Sequence, residues 1–368
     1  MPTRTLKQPS QRMFYKKRIT TLKSCITPTA TEPPQPLPAP TGQPPYRLDL
    51  SSILSTPPPT DNLVFHMVGD IGGVKDPYPQ EHVADAMEQD CTQAPGALIP
   101  QFMYVVGDVI YFNGEDSQYY SQFYDPYVHY PPPIFAIPGN HDGEPLPGNA
   151  TPSLQGFMTN FCAPAPVITP DAQDIPRTAM TQPNCYWTLT SPLATIVGLY
   201  SNVPEGGYVD ATQTAWFTSE LQAAPTDRAL IVTVHHPPYS LDQYHSGSQI
   251  IQSLIDNAAN AASRFPDAVF AGHVHNYQHF ERTVNGKVIP YFVIGNGGYH
   301  NLHQMQQIPS LPYNDTDAGV TLVSCDDSNF GYIKMQVSKT TLNGTQYSVT
   351  RNGTVTPNDT FTYPLNYQ

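Results

Sequence analysis

The chain has 368 residues, of which 39% are hydrophobic, and it carries a formal net charge of -13 at pH 7. No apolar stretch approaches the roughly 18 to 20 residues that a membrane-spanning helix requires, so we expect a soluble protein with no membrane partner. The acidic charge repels phosphate backbones at long range, which disfavours nucleic acid as a partner.

The first 60 residues differ in composition from the rest of the chain. Seven of the 17 Lys and Arg residues lie between Arg4 and Lys23, no acidic residue precedes Glu32, and the segment contains 13 prolines. We therefore predict a disordered leader over residues 1–60, first basic and then Pro-rich, and one folded domain over residues 61–368. The leader lacks the 7 to 15 residue apolar core of a secretory signal, so a cytoplasmic location is favoured over secretion.

Short apolar runs recur after residue 61, and each ends in polar residues. They predict buried strands at residues 63–68, 102–106, 134–137, 230–234, 268–271 and 291–294. Helical periodicity covers residues 212–223 and 248–265. Strands that alternate with helices favour an α/β fold. Near the C-terminus, Asn-Gly pairs at residues 343 and 352 predict the turns of terminal hairpins.

The five cysteines show no CxxC spacing, so neither a zinc ribbon nor a thioredoxin-type site is indicated. Cys162 and Cys185 flank a Pro-rich loop and could pair in an oxidising compartment. Sequence alone does not give disulfide connectivity, so this pairing stays open.

Five polar clusters sit at or just after predicted strands. Any one of them could be an ordinary turn. Strand ends, however, are where α/β sheets place their ligands, so five clusters in succession indicate a functional site. The clusters are Gly69-Asp70-Ile71-Gly72, Gly107-Asp108-Val109-Ile110-Tyr111, Gly139-Asn140-His141-Asp142, Val232-Thr233-Val234-His235 and Gly272-His273-Val274-His275.

In this order the clusters resemble the blocks DxG, GDxxY, GNH(E/D), VxxH and GHxH of the calcineurin-like metallophosphoesterases, and within them of the purple acid phosphatases. The resemblance covers about residues 62–300. It implies a four-layer α/β/β/α sandwich of two mixed sheets. The subfamily rests on two positions: the wider superfamily usually has a histidine where Gly72 stands and usually lacks Tyr111. A phenolate in place of an imidazole favours Fe(III) over a divalent ion.

Carried over residue by residue, the resemblance implies seven metal ligands and three catalytic residues. One Fe(III) ion would be held by Asp70, Asp108, Tyr111 and His275. Asp108 would bridge to a divalent ion, Fe, Zn or Mn, held by Asn140, His235 and His273. His141 would contact the phosphate or protonate the leaving group, and His245 matches a further substrate-binding histidine; with Asp108 these two form the catalytic set. Arg282 is expected to have a structural role. His236 is expected at most to support the metal ligands without binding a metal itself.

The implied activity is that of an acid phosphatase, a metal-dependent hydrolase that cleaves monoesters of small phosphorylated substrates with a metal-bound hydroxide. The same two-metal site would also suit a phosphodiesterase or a nucleotide phosphohydrolase. A third reading, from another class, is a metal-binding or partner-binding protein that uses the Pro-rich leader as a docking segment.

Overall fold

The computed structural model of the chain describes residues 22–29, 32–146, 148 and 151–365. Its strands, in chain order, are Cys25–Ile26 (β1), Arg47–Asp49 (β2), Leu63–Val68 (β3), Met103–Val106 (β4), Ile134–Ile137 (β5), Trp187–Thr190 (β6), Ala194–Leu199 (β7), Ala229–Val234 (β8), Gly247–Ser248 (β9), Ala268–Ala271 (β10), Tyr277–Val284 (β11), Lys287–Ile294 (β12), Tyr313–Asp315 (β13), Val320–Asp326 (β14), Phe330–Val337 (β15), Thr341–Val349 (β16) and Val355–Pro364 (β17). Its helices are Tyr78–Gln93 (α1), Asn140–Gly143 (α2), Gln155–Phe161 (α3), Ala211–Ala223 (α4) and Gln249–Ala262 (α5).

Two mixed sheets organise the described residues. The larger sheet has the strand order β13-β14-β11-β12-β10-β8-β7-β6-β2, and the smaller has the order β17-β16-β15-β3-β4-β5. Strands β3, β4 and β5 run parallel, as do β7, β8, β10 and β12. These central strands are covered on both faces, which explains their continuous apolar runs.

Three apolar cores separate four layers. One lies between the two sheets and contains Phe65 and Phe270; a second packs α1 and α3 on the outer face of the smaller sheet; a third packs α4 and α5 on the outer face of the larger sheet. Successive residues of one strand point into different cores, as Val105 and Val106 of β4 do. The predicted α/β/β/α sandwich is therefore confirmed.

The predicted secondary structure holds for the elements around the site. The six predicted strands correspond to β3, β4, β5, β8, β10 and β12, and the two predicted helices to α4 and α5. Helix α5 ends at Ala262, earlier than predicted, because Ser263 adopts a left-handed conformation and its N–H caps the last turn.

The turn predicted at Asn343 is wrong, whereas the one at Asn352 is confirmed. Asn343 and Gly344 lie inside β16 and pair with strands on both sides. A Cβ atom on Gly344 would lie 2.3 Å from the ring of Phe361. This glycine therefore makes room for an aromatic side chain on the neighbouring strand.

The leader predicted over residues 1–60 needs correction in the part that the structure describes. Residues 47–49 form β2, which pairs in parallel with β6 at the edge of the larger sheet. Cys25 and Ile26 pair with β9, and Leu50 is fully buried. The Pro-rich composition correctly indicates that the segment has few apolar residues. A few contacts with the folded domain are nevertheless enough to hold such a segment in place. Residues 1–21 lie outside the described part of the chain.

Among the described residues, no helix has the length and apolar character needed to cross a bilayer. Cys162 and Cys185 are both buried, and each carries a free thiol.

Candidate metal centre

Five loops meet at one end of the two sheets. They follow β3, β4 and β5 of the smaller sheet and β8 and β10 of the larger one, at the carboxyl ends of parallel strands. Each loop carries one of the five sequence clusters. The structure thus brings together side chains that are up to about 200 positions apart in the sequence, at the place where α/β sheets bind ligands.

Three residues on these loops adopt left-handed backbone conformations. The φ angles are 57° at Asp70, 49° at Asp108 and 69° at His273. Such a conformation in a residue other than glycine costs on the order of 1 to 3 kcal/mol and persists where the surrounding structure enforces it, often at functional sites. The fold therefore holds these three side chains in place at an energetic cost.

Asp70, Tyr111 and His275 form the first half of the centre. The Tyr111 hydroxyl lies 3.2 Å from Asp70 Oδ1 and 3.2 Å from His275 Nε2. The imidazole and carboxylate are themselves 3.4 Å apart. Three donor atoms, two of them oxygens, therefore surround one point in a buried pocket.

Asn140, His235 and His273 form the second half. The Asn140 Oδ1 atom lies 3.0 Å from His235 Nε2 and 3.0 Å from His273 Nδ1. One amide oxygen and two imidazole nitrogens thus face a common point, a donor set that suits a divalent transition metal.

Asp108 lies between the two halves. Its Oδ1 atom is 3.4 Å from His235 Nε2, and its carboxylate, that of Asp70 and a nitrogen of His235 all lie within 4.8 Å of one another. The Asp108 side chain is almost fully buried. From this position the buried carboxylate could contact a cation bound in either half.

Backbone carbonyls orient two of the imidazoles. His235 Nδ1 donates to the carbonyl of Val106 at 2.9 Å, and His275 Nδ1 donates to the carbonyl of Asn301 at 3.0 Å. A carbonyl only accepts, so Nδ1 of each ring carries a proton and Nε2 faces the centre. This is the arrangement that fixes the tautomer of a metal-binding histidine.

The electrostatics fit a pair of cations. Within the described residues, the ion-pair partners of Asp70 and Asp108 are histidines only. Burial alone would lower the pKa of His235, but Asp108 outweighs it and raises that pKa to about 9. The buried carboxylate of Asp108 thus favours positive charge at this point, which a metal ion would supply when bound.

Tyr111 is held by Gln122, a residue that carried no sequence signal. Gln122 Oε1 accepts from the Tyr111 N–H at 2.9 Å, and Gln122 Nε2 donates to the Tyr111 carbonyl at 2.7 Å. Gln122 lies in a single π-helical turn at Tyr120–Tyr124, a feature that often occurs at functional sites. Burial, together with Asp70 and Asp108, raises the Tyr111 pKa well above its usual value.

His141 lies at the mouth of the centre. The backbone N–H of His141 donates to Asp108 Oδ1 at 2.9 Å, and its ring Nδ1 lies 2.9 Å from the carbonyl oxygen of Phe112. Its side chain is 27% exposed, with Glu144 3.5 Å away. Burial lowers the pKa of His141, but Asp108 and Glu144 outweigh it and raise the pKa to about 9.

Asp142, the neighbour of His141, links two of the loops through hydrogen bonds to their backbone. Its carboxylate accepts backbone N–H groups of Gly139 at 2.8 Å, Val109 at 3.1 Å and Ile110 at 3.2 Å. These bonds join the second and third sequence clusters and fix the spacing between their side chains.

His245 lies beside the second half. Its ring meets that of His273 edge to face, with centroids 4.7 Å apart, and is parallel to the ring of His303 at 5.1 Å. Its Nδ1 lies 3.3 Å from Glu205 Oε1. Glu205 and His303 were not predicted, because each lies in a loop without a motif.

Four further residues near the site divide into two groups. Tyr299 lines the pocket, with its ring 4.2 Å from that of Tyr111, and His300 adjoins it. His236 Nδ1 lies 2.8 Å from the Ser201 hydroxyl, and the His236 ring packs behind that of His273, with centroids 4.3 Å apart. Arg282 pairs with Asp256 of α5 at 2.6 and 2.9 Å, which is a structural contact.

Comparison with known proteins places the chain among phosphoesterases. The sequence profile described as "Calcineurin-like phosphoesterase" matches residues 63–277, more than half of the chain. Purple acid phosphatase 21 of Arabidopsis thaliana is 28% identical over 173 residues, which cover 45% of this chain and 36% of that protein. Purple acid phosphatase 22 of the same plant is 33% identical over 110 residues, covering 25% of this chain and 24% of the relative. The matched stretches thus span about a third or less of these relatives.

Solved structures share the fold at low sequence identity. The purple acid phosphatase PPD1 from yellow lupin seeds superposes with a TM-score of 0.58 at 15% identity, covering 83% of this chain and 54% of the lupin chain. GAP50, described as the anchor in the inner membrane complex of Plasmodium, superposes with a TM-score of 0.56 at 15% identity, covering 84% of this chain and 90% of the GAP50 chain. At these identities the similarity shows the fold alone.

Proposed function

The chain belongs to the calcineurin-like phosphoesterase family, and from that premise we propose that it is an acid phosphatase of the purple type. It hydrolyses phosphate monoesters with one Fe(III) ion and one divalent ion, Fe, Zn or Mn. The homology to purple acid phosphatases and the donor set around Tyr111 support this proposal.

The observation that carries the proposal is the position of the Tyr111 hydroxyl. It lies 3.2 Å from both Asp70 and His275, so these three side chains can share one ion. The buried phenol keeps its proton near two carboxylates, since its pKa is raised well above the usual value. A phenolate is a hard anionic oxygen donor, and Fe(III) is the hard cation that it favours.

The second ion would be held by Asn140, His235 and His273, with Asp108 shared between the two. Two carboxylates and one phenolate carry three negative charges against five positive charges on the ions. The excess of two positive charges would attract a phosphate dianion to an otherwise acidic protein. When bound, the two cations would supply Lewis-acid activation of the ester and of water.

The chain's own side chains position the substrate and move the proton. His141 lies at the mouth, and the Phe112 carbonyl holds its Nδ1 at 2.9 Å, so Nε2 is the atom that donates to a phosphoryl oxygen or to the leaving group. His245 flanks the other half, where it contacts the substrate. The ring of Tyr299 packs against that of Tyr111 at the same pocket, with centroids 4.2 Å apart.

A comparison of two aryl esters tests the reaction class. We expect faster turnover of p-nitrophenyl phosphate than of bis(p-nitrophenyl) phosphate. Asp108→Asn should lose roughly 10² to 10³-fold or more in turnover, because it removes a buried charge that the reaction needs. Asp85→Asn, on the exposed face of α1, is the matched control and should retain full activity.

Each other outcome of that comparison points to a specific alternative. Preference for the diester would favour a phosphodiesterase or nucleotide phosphohydrolase with the same ions. Absence of turnover for both esters would favour a metal-binding or partner-binding protein, and GAP50, which has a similar fold, is described as an anchor.

A further inference from the structure

Glu205 places a carboxylate next to the second half of the centre. It lies in the loop between β7 and α4, and its side chain is only 24% exposed. Its two oxygens face two imidazoles: Oε1 lies 3.3 Å from His245 Nδ1, and Oε2 lies 3.8 Å from His273 Nε2. The reaction proposed above does not use this residue.

The two ring nitrogens of His273 face opposite ways. Nδ1 lies 3.0 Å from Asn140 Oδ1 inside the centre, whereas Nε2 is buried and has no hydrogen-bond partner among the described residues. A neutral imidazole carries one proton. If Nδ1 offers its lone pair to a cation, the proton must be on Nε2, and the carboxylate of Glu205 is the acceptor on that side.

The loop that carries Glu205 is held from the N-terminal side. Gln35 and Asn202 exchange two hydrogen bonds, of 2.8 and 2.9 Å. The Ser248 hydroxyl donates to the carbonyl of Gly206 at 2.5 Å, and a Cβ atom on Gly206 would lie 2.1 Å from Cγ of Pro28. Residues 28 and 35 therefore contact the loop that carries Glu205 on either side of that residue.

We propose that Glu205 is a positioning residue, which accepts the Nε2 proton of His273 and thereby holds its Nδ1 towards the divalent ion. This inference rests on the proposed function, because it assumes an ion at Asn140, His235 and His273. The two atoms lie 3.8 Å apart in the structure, so the hydrogen bond requires the carboxylate to approach Nε2 when the ion binds. Carboxylate partners of this kind typically change metal affinity by about tenfold to a hundredfold when removed.

Metal retention tests the proposal without reference to activity. Purified wild-type protein and the Glu205→Gln variant are dialysed against a graded series of chelator concentrations, and each metal is measured by mass spectrometry. The variant should release the divalent ion at about tenfold to a hundredfold lower chelator concentration, while the iron beside Tyr111 and its visible absorption remain. Glu88→Gln, on α1, is the matched control and should behave as wild type.

Circular dichroism of the metal-free proteins separates positioning from folding. Glu205→Gln should unfold at the wild-type temperature, and Glu205→Asp, which keeps the charge, should recover part of the metal affinity. Equal retention of both ions in Glu205→Gln and wild type would overturn the proposal while sparing the proposed function. Three ions in wild type, with one lost in the variant, would also overturn it, because Glu205 would then be a ligand. Wild-type protein that binds no metal would overturn both proposals.

Discussion

A Cβ atom on Gly72 would lie 2.8 Å from Cδ2 of Tyr111, closer than such atoms approach in folded proteins. It would also lie 2.5 Å from Oε1 of Gln122, the side chain that holds the Tyr111 backbone. A side chain at position 72 and a tyrosine at position 111 therefore exclude each other. This contact gives a steric reason why a glycine at position 72 accompanies a tyrosine at position 111 in this chain.

Gly72→Ala should displace Tyr111 and destabilise the protein by about 1 to 3 kcal/mol, the usual cost of overpacking a core. Denaturant unfolding monitored by circular dichroism measures the change. Gly96→Ala is the control, because a Cβ atom there meets nothing within 4 Å. Equal stability of the two variants would contradict the steric account.

Tyr111→Phe should remove the proposed metal ligand but retain the ring that packs on Tyr299 and His141. The purified wild-type protein should show a visible phenolate-to-Fe(III) absorption band, and this band should vanish in the variant. Tyr119→Phe is the control, since the Tyr119 hydroxyl is buried and has no hydrogen-bond partner among the described residues. A colourless wild-type protein with only divalent metals would exclude the Fe(III) assignment.

His141→Ala should slow the hydrolysis of alkyl phosphates more than that of p-nitrophenyl phosphate. An alkoxide leaving group needs a proton in the transition state, and a general acid contributes typically 10² to 10⁴-fold, whereas p-nitrophenolate leaves without one. Turnover of the two esters at saturation measures the difference. The exposed His129 provides the control variant, His129→Ala. A uniform loss on both esters would assign His141 to binding instead.

Asp90 should stabilise the fold in a pH-dependent way. Its carboxylate accepts from His66 at 3.2 Å, Tyr332 at 3.0 Å and Lys334 at 3.0 Å. Burial would raise the Asp90 pKa, but His66 and Lys334 outweigh it and lower the pKa below its usual value. A lowered carboxyl pKa stabilises the folded state above the unfolded pKa of about 4, and this contribution is lost as the pH falls through the folded pKa.

Asp90→Asn should therefore lower the free energy of unfolding at pH 7 by about 1 to 3 kcal/mol. The difference from wild type should shrink as the pH falls below about 4. Urea unfolding at a series of pH values measures both effects. A difference that stays constant across this range would show that the ionised carboxylate is not the stabilising form.

The sequence predicted the parts of the site that local rules govern. Asp70, Asp108 and Asn140 come just after apolar strands. The carboxyl ends of parallel strands lie at the same edge of a sheet, so these side chains were expected to meet. Gln122 and Glu205 could not be predicted, because their segments carry no motif and approach the site only through the packing of distant loops. The error at Asn343 has a similar origin, since only the position of Phe361 on the adjacent strand explains the glycine at position 344.

The leader shows the limit of composition as a guide. Its many prolines indicate a chain that cannot build its own core, and that inference is sound for an isolated segment. It does not exclude docking on a core that already exists, as Leu50 does in the described part of the chain. Burial of one large side chain is worth about 1.5 to 3 kcal/mol, which offsets the ordering of only a few residues.

The short strand β2 also hinders strand pairing between two molecules of this protein. Its three residues cover the edge of β6, whose N–H and C=O groups would otherwise be open to a strand from another chain. Arg47 and Asp49 are exposed on β2 itself, and charged side chains on such a short outer strand discourage further growth of the sheet. Trimming the chain to residue 62 would therefore favour aggregation through strand pairing, even though the residues of the metal centre would all remain.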